Sequence, residues 1–234
     1  MRSVMVSALL VATSLTACHK GPEPASASDP TPVVHLPTSD NAPENMPAST
    51  AKKVPDAEVW RAIATDQDKQ RIRNWYSAWQ NALSDARAKG YGAQLDADPI
   101  LFKPTAALND VRLVAGNYRC RTTKLGSKGR TGLSYVQYAW FRCQVVDDSN
   151  GKLLMKITGS QRPSGRVFAD EHNREVFLGT LALGDEQTAV PYGSDRMRDI
   201  GGVIERIGDQ RWRLVIPQPA YESLLDVVEL IPDR

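Results

Sequence analysis

From Asn117 to Ile231, apolar residues recur at every second position, and turn residues interrupt them at short intervals. That pattern leaves a chain few folds to choose from, because period two puts alternate side chains on opposite faces of a strand. Tyr118, Cys120 and Thr122 alternate with Asn117, Arg119 and Arg121, and Phe141, Cys143 and Val145 alternate with Trp140, Arg142 and Gln144. Asp148-Ser149-Asn150-Gly151 predicts a hairpin, with Asn150 and Gly151 at the two centres of the turn. Further strands are expected at Lys152 to Thr158, Gly165 to Ala169, Glu175 to Leu183, Val203 to Ile207, Arg211 to Ile216 and Leu225 to Ile231, with Gly201-Gly202 read as a turn. In Arg211 to Ile216, Trp212, Leu214 and Ile216 read as inside, and Arg211 and Arg213 as outside. About eight antiparallel strands result, forming a curved sheet or a small barrel; the pattern leaves closure open.

One helix precedes them. Ile72, Trp75, Trp79, Leu83 and Ala86 recur at three- and four-residue steps, Thr65 stands at a capping position before Asp66 and Asp68, and Gly90 offers a stop. These signals predict one long amphipathic helix over about 66–89, with Trp60 joining its apolar stripe through a short preceding turn. The expected fold class is therefore α+β, mainly β.

The only long apolar run lies at the start of the 234 residues. Arg2, then Val4 to Leu15, then Thr16-Ala17 have the parts of a secretory signal, residues 1–17. Leu15-Thr16-Ala17-Cys18 resembles the bacterial lipobox, which makes Cys18 the expected lipidation site. Several acyl chains on one residue would hold it stably in a membrane. His19, where an Asp would favour inner-membrane retention, tilts the expected address to the outer membrane of a Gram-negative cell, facing the periplasm. Residues 18–56 carry eight of the fifteen prolines among many Ala, Ser and Thr, a composition expected to form a disordered tether. Residues 57–234 are then one globular domain. A net charge of +2 gives no strong basic field, so nucleic acid is not an expected partner.

Chemistry is sparse. Cys120 and Cys143 are the thiols left beyond the anchor, and an oxidising compartment makes them a disulfide. The histidines are His19, His35 and His172, and only His172 lies in the predicted domain, too few for a His-based metal site. No G-x-S-x-G accompanies it, so triad chemistry has no support. Nothing points to a cofactor or to a defined catalytic residue. Asp185, Glu186, Asp195, Asp199, Glu205, Asp226 and Glu229 read as a solvated acidic face, although a facing pair would suit glycoside hydrolysis. The stretch Thr158 to Arg166 gathers Gln161, Arg162 and Arg166 between two strands, and Lys124, with Lys128 and Arg130, is placed in a second loop. If the two meet at one rim, they form a site for a carboxylate or phosphate.

Gly116-Asn117-Tyr118-Arg119-Cys120-Arg121 with Lys124-Leu125-Gly126, Tyr138 to Cys143, Gly159 to Pro163, Phe177 to Leu181, and Glu205 to Gly208 with Arg211 to Leu214 resemble a bacterial family known as domain of unknown function 4893. The closing Glu222 to Leu230 is similar to that family's C-terminal signature, and the resemblance runs from about Trp60 to Pro232. It implies an exported Gram-negative protein and brings no activity with it. The expected function is a non-enzymatic binding or interaction module, lipid-anchored and periplasmic, with an envelope protein or cell-wall polymer as partner. A small-molecule carrier with a barrel cavity is the alternative, and a cell-wall hydrolase using paired carboxylates is a third.

Overall fold

The period-two segments form eight strands, and Tyr135–Gln137 adds a ninth, in a computed structural model that describes residues 56–129, 131–170 and 173–233. They are β1 (Gly116–Ser127), β2 (Tyr135–Gln137), β3 (Phe141–Asp148), β4 (Gly151–Lys156), β5 (Gln161–Ala169), β6 (Glu175–Leu183), β7 (Asp199–Gly208), β8 (Arg211–Pro217) and β9 (Ser223–Pro232). From β3 to β9 each strand pairs antiparallel with the next, and β9 returns to pair with β1 from Pro232 opposite Tyr118 to Ser223 opposite Ser127. The sheet is therefore a closed barrel. β3 pairs with β1 at Gly116 to Cys120, and β2 takes the same edge of β1 at Thr123 to Leu125. The wall thus has eight strands, and β2 is an extra segment beside it. Closure leaves those eight strands without an open edge.

Among the described residues, five short helices precede the barrel: α1 (Asp56–Ile63), α2 (Asp66–Arg73), α3 (Trp75–Ala88), α4 (Gly92–Asp96) and α5 (Pro99–Phe102). The expected long helix is thus two. Thr65 caps α2 as anticipated, its Oγ1 accepting from the Asp68 amide at 3.2 Å, but the run breaks at Asn74 (φ −97°, ψ 12°). A straight helix of 24 residues would extend about 36 Å. The break instead lets α2 lie on β7 while α3 crosses β1, β8 and β9. Trp60 belongs to a full helix, α1, and its Nε1 donates to Asp170 at 2.9 Å.

Alternation along the strands builds two cores rather than one. Tyr118, Phe177, Ile204, Trp212, Leu214 and Leu230 fill the barrel interior. On the outside, Val203, Val215 and Val227 pack under Trp79, Ala82 and Phe102 of the helical layer. Each large side chain so buried contributes roughly 1.5–3 kcal/mol. The outward face of this part of the wall is consequently dry. Arg213, expected to face solvent, is fully buried and makes hydrogen bonds to Glu205 at 2.8 and 2.6 Å and to the Leu101 carbonyl at 2.8 Å, with its guanidinium 4.4 Å from the Trp79 ring centre.

Two turn readings also change. Gly201 and Gly202 lie inside β7, opposite Leu178 and Phe177, and a Cβ on Gly201 would come within 2.7 Å of the Asp68 Cβ, so glycine here admits α2 against the sheet. At the β3–β4 hairpin, Asp148 pairs with Gly151, so Ser149 and Asn150 make the bend and Gly151 alone takes positive φ (104°). Cys120 and Cys143 are joined as a disulfide between β1 and β3, inside the barrel. The signal segment, Cys18, the rest of the tether up to residue 55, Arg130 and His172 lie outside the described residues, while Asp56, expected in the tether, begins α1.

Candidate functional site

The two ends of the barrel differ. At one, the segment before β1 enters the interior: Val111 and Leu113 join the inner core, the Trp212 Nε1 donates to the Val111 carbonyl at 2.6 Å, and the Tyr118 hydroxyl donates to the Val114 carbonyl at 2.8 Å. The Leu113 amide donates to Glu175, which Lys152 faces at 3.4 Å. That end is filled.

At the other end, where the β4–β5 and β8–β9 turns lie, the interior opens into a cavity of about 200 Å³. Phe141, Pro163, Leu181, Ile216 and Val228 give it apolar walls, and Lys124, Lys156, Gln161, Glu222 and Asp226 supply the polar groups. These residues come from every part of the ring, which places the cavity in the bore rather than in an external crevice. Three of the charged residues occupy inward positions that alternation reserves for apolar side chains: Lys124 follows Cys120 and Thr122, Lys156 follows Leu154, and Asp226 precedes Val228 and Leu230.

Gln161 connects the two ammonium groups. Its Oε1 accepts from the Lys124 Nζ at 3.0 Å and its backbone carbonyl accepts from the Lys156 Nζ at 2.9 Å. Lys124 also faces Glu222 at 2.7 Å and Asp226 at 3.9 Å. Burial opposes its charge, but Asp226 and Glu222 outweigh that, so its pKa lies above the ordinary lysine value. Lys156 has no ion-pair partner among the described residues, and its Nζ lies 3.8 Å from the Phe141 ring centre. Burial, reinforced by the positive charges of Lys124 and Arg162, lowers its pKa from 10.5 to about 8. Burial also raises the Asp226 carboxyl, which Ser223 Oγ hydrogen-bonds, against the attraction of Lys124. Asp199 completes the rim; its buried Oδ2 has no hydrogen-bond partner among the described residues, and burial pushes that carboxyl up.

Of the residues singled out in the sequence, Lys124 and Gln161 meet in the cavity, and both belong to strands rather than loops. Arg162 and Arg166 do not join them. They lie four residues apart on the outer face of β5, ~13 Å along the strand. Arg162 donates to the carbonyls of Gly159 and Gly184 at 2.7 and 2.6 Å, tying the β4–β5 turn to the end of β6. Arg166 pairs with Asp148 at 2.6 Å beside the β3–β4 turn, toward the filled end. The acidic residues do not form a solvated face, since Asp199, Glu205, Asp226 and Glu229 are all buried. Lys156 and Glu222 were not singled out by sequence reasoning; the available signal for Lys156 was a lysine on the inward side of a strand. Among the described residues, no three His, Cys, Asp or Glu side chains cluster as a metal site requires, and no helix is long and apolar enough to cross a membrane.

Fold and cavity together define a closed, up-and-down antiparallel β-barrel with one filled end and a polar-lined hollow at the other. Residues 60–230 match the family described as a domain of unknown function, DUF4893, and the chain belongs to that family. Neither the curated proteins nor the solved structures contain a match to this sequence.

Proposed function

We propose that this chain is a non-enzymatic binding module of the bacterial envelope that holds a small anionic molecule in the mouth of its barrel. The observation that carries this reading is the pair of inward-facing lysines, bridged by Gln161, around a cavity of about 200 Å³. A void of this kind suits a single ring or a short chain, since ligand sites combine apolar walls with a few placed polar groups. Among the alternatives read from the sequence, the carrier therefore has the better support. In the proposed setting, acylated Cys18 fixes the protein to the outer membrane and the Pro-rich segment spaces the barrel into the periplasm.

Isothermal titration of the full-length chain with acetate, propionate and benzoate tests the ligand class. Saturable binding at one site is expected, weakened roughly tenfold, or about 1.4 kcal/mol, by Lys124→Met. Equal affinity in the variant would remove the site from this reading. The anchor is tested separately: an alkyne-palmitate label fed to cells should appear on the wild-type chain and be absent from Cys18→Ser.

One observation favours a second reading. Glu222 and Asp226 both line the cavity, as an acid and base pair for glycoside cleavage would. Against it, Lys124 forms ion pairs with both carboxylates, and a cavity of about 200 Å³ is small for two sugar rings. Release of reducing ends from purified peptidoglycan would establish that reading.

A further inference from the structure

Resting on the cavity reading above, we propose that Lys156 captures small aldehydes or ketones bearing a carboxylate, such as short oxo acids, as a reversible imine at its Nζ. The two lysines of the cavity are in different situations. Lys124 is held by Glu222, Asp226 and Gln161, and so serves as a fixed positive charge. Lys156 has one hydrogen-bond acceptor, the Gln161 carbonyl at 2.9 Å, and the face of Phe141 at 3.8 Å, with no carboxylate in ion-pair reach among the described residues. An amine so placed is presented to the cavity by one hydrogen bond and an aromatic wall. Glu222, attached to Lys124 through a largely exposed side chain, occupies the position that a ligand carboxylate would take over.

Protonation favours the same assignment. The groups acting on Lys156 are Lys124 on β1, Arg162 on β5 and Asp226 on β9; with burial first, then the two cations, outweighing Asp226, half of the amine is unprotonated at pH about 8. A lysine desolvated beside another cation is the arrangement that makes an amine nucleophilic near neutral pH. In the step itself, the Nζ lone pair bonds to the carbonyl carbon, and the carbonyl oxygen leaves as water with the two hydrogens of the neutral amine. The product is C=N plus H2O, with no oxidant or reductant consumed.

The test treats the full-length chain with glyoxylate and cyanoborohydride at several pH values and maps labelled lysines by peptide mass spectrometry. Propanal, which lacks the carboxylate, is run in parallel. Lys156 is expected to be labelled roughly tenfold faster than exposed lysines, with a rate that levels off above pH 8 and a preference for glyoxylate over propanal. Labelling of Lys156 no faster than that of exposed lysines overturns the proposal. Glycolate, which has the carboxylate but no carbonyl, separates the two readings by calorimetry. Binding of glycolate without trapping of glyoxylate ends the imine and leaves the cavity reading standing; loss of both ends both. Lys156→Arg keeps the charge and cannot form an imine, so it should still bind glycolate while the label at position 156 disappears. A Lys156→Arg chain that folds but binds no glycolate places the carboxylate on Lys156 rather than on Lys124, and also overturns the proposal.

Discussion

Lys156 lowers the stability of the fold at neutral pH, because its ammonium is buried without a carboxylate partner. Its pKa falls from 10.5 when unfolded to about 8 when folded, so the folded chain binds fewer protons between those values. Stability therefore rises with pH from about 8 to about 10.5, and the full penalty, about 3 kcal/mol, applies below pH 8. Lys156→Met should be more stable than the wild type at pH 7, with a difference that shrinks as urea melts are repeated toward pH 10.5. A constant difference across that range would place the charge elsewhere. Such residues were partly legible in advance: Lys124 and Gln161 stood out as donors, yet no residue type reveals that a strand curls until its inward lysine meets another. Asp226 was visible only as one acid among several, because its partner lies a hundred residues away on β1.

Among the elements, strands were the most legible and helices the least. Glu175–Leu183 was bounded correctly from alternation alone, whereas β7 and β5 begin four residues before their expected starts because Gly201-Gly202 and the Gln161 to Ser164 stretch carry turn-like compositions. Alternation also separated the faces of β8 without telling where the water was. Arg213 faces away from the bore as expected, but the α3 and α5 layer covers it, and only the covering helices explain its Glu205 partner. Removing one member of a buried pair strands the other, at a cost of about 3–5 kcal/mol, while replacing both with apolar residues of similar size is often neutral or stabilising. Arg213→Met should thus lower the urea midpoint strongly, and adding Glu205→Leu should recover most of the loss. If the double variant is as weak as the single, the carbonyls of Ile100 and Leu101 rather than Glu205 are the important partners.

At the scale of the whole molecule, closure depends on β1, which pairs with β9 on one edge and with β2 and β3 on the other. The disulfide fastens the β3 side of that junction, linking residues 23 apart in sequence. In the chain-entropy estimate it contributes about 3 kcal/mol, so a Cys120→Ser/Cys143→Ser chain should melt at clearly lower denaturant with its strand content intact before the transition. An unchanged midpoint would mean that the pairing with β9 alone closes the ring. The sequence indicated the eight strands of the wall but neither β2 nor the ring, since an open curved sheet and a barrel share one alternation pattern. It was silent on residues 103–115, which have neither period and fill one end through Val111 and Leu113. That stopper makes the barrel a cup rather than a conduit: under the proposed binding role, a ligand would enter and leave across the same lip, and a second guest would wait until the first departs.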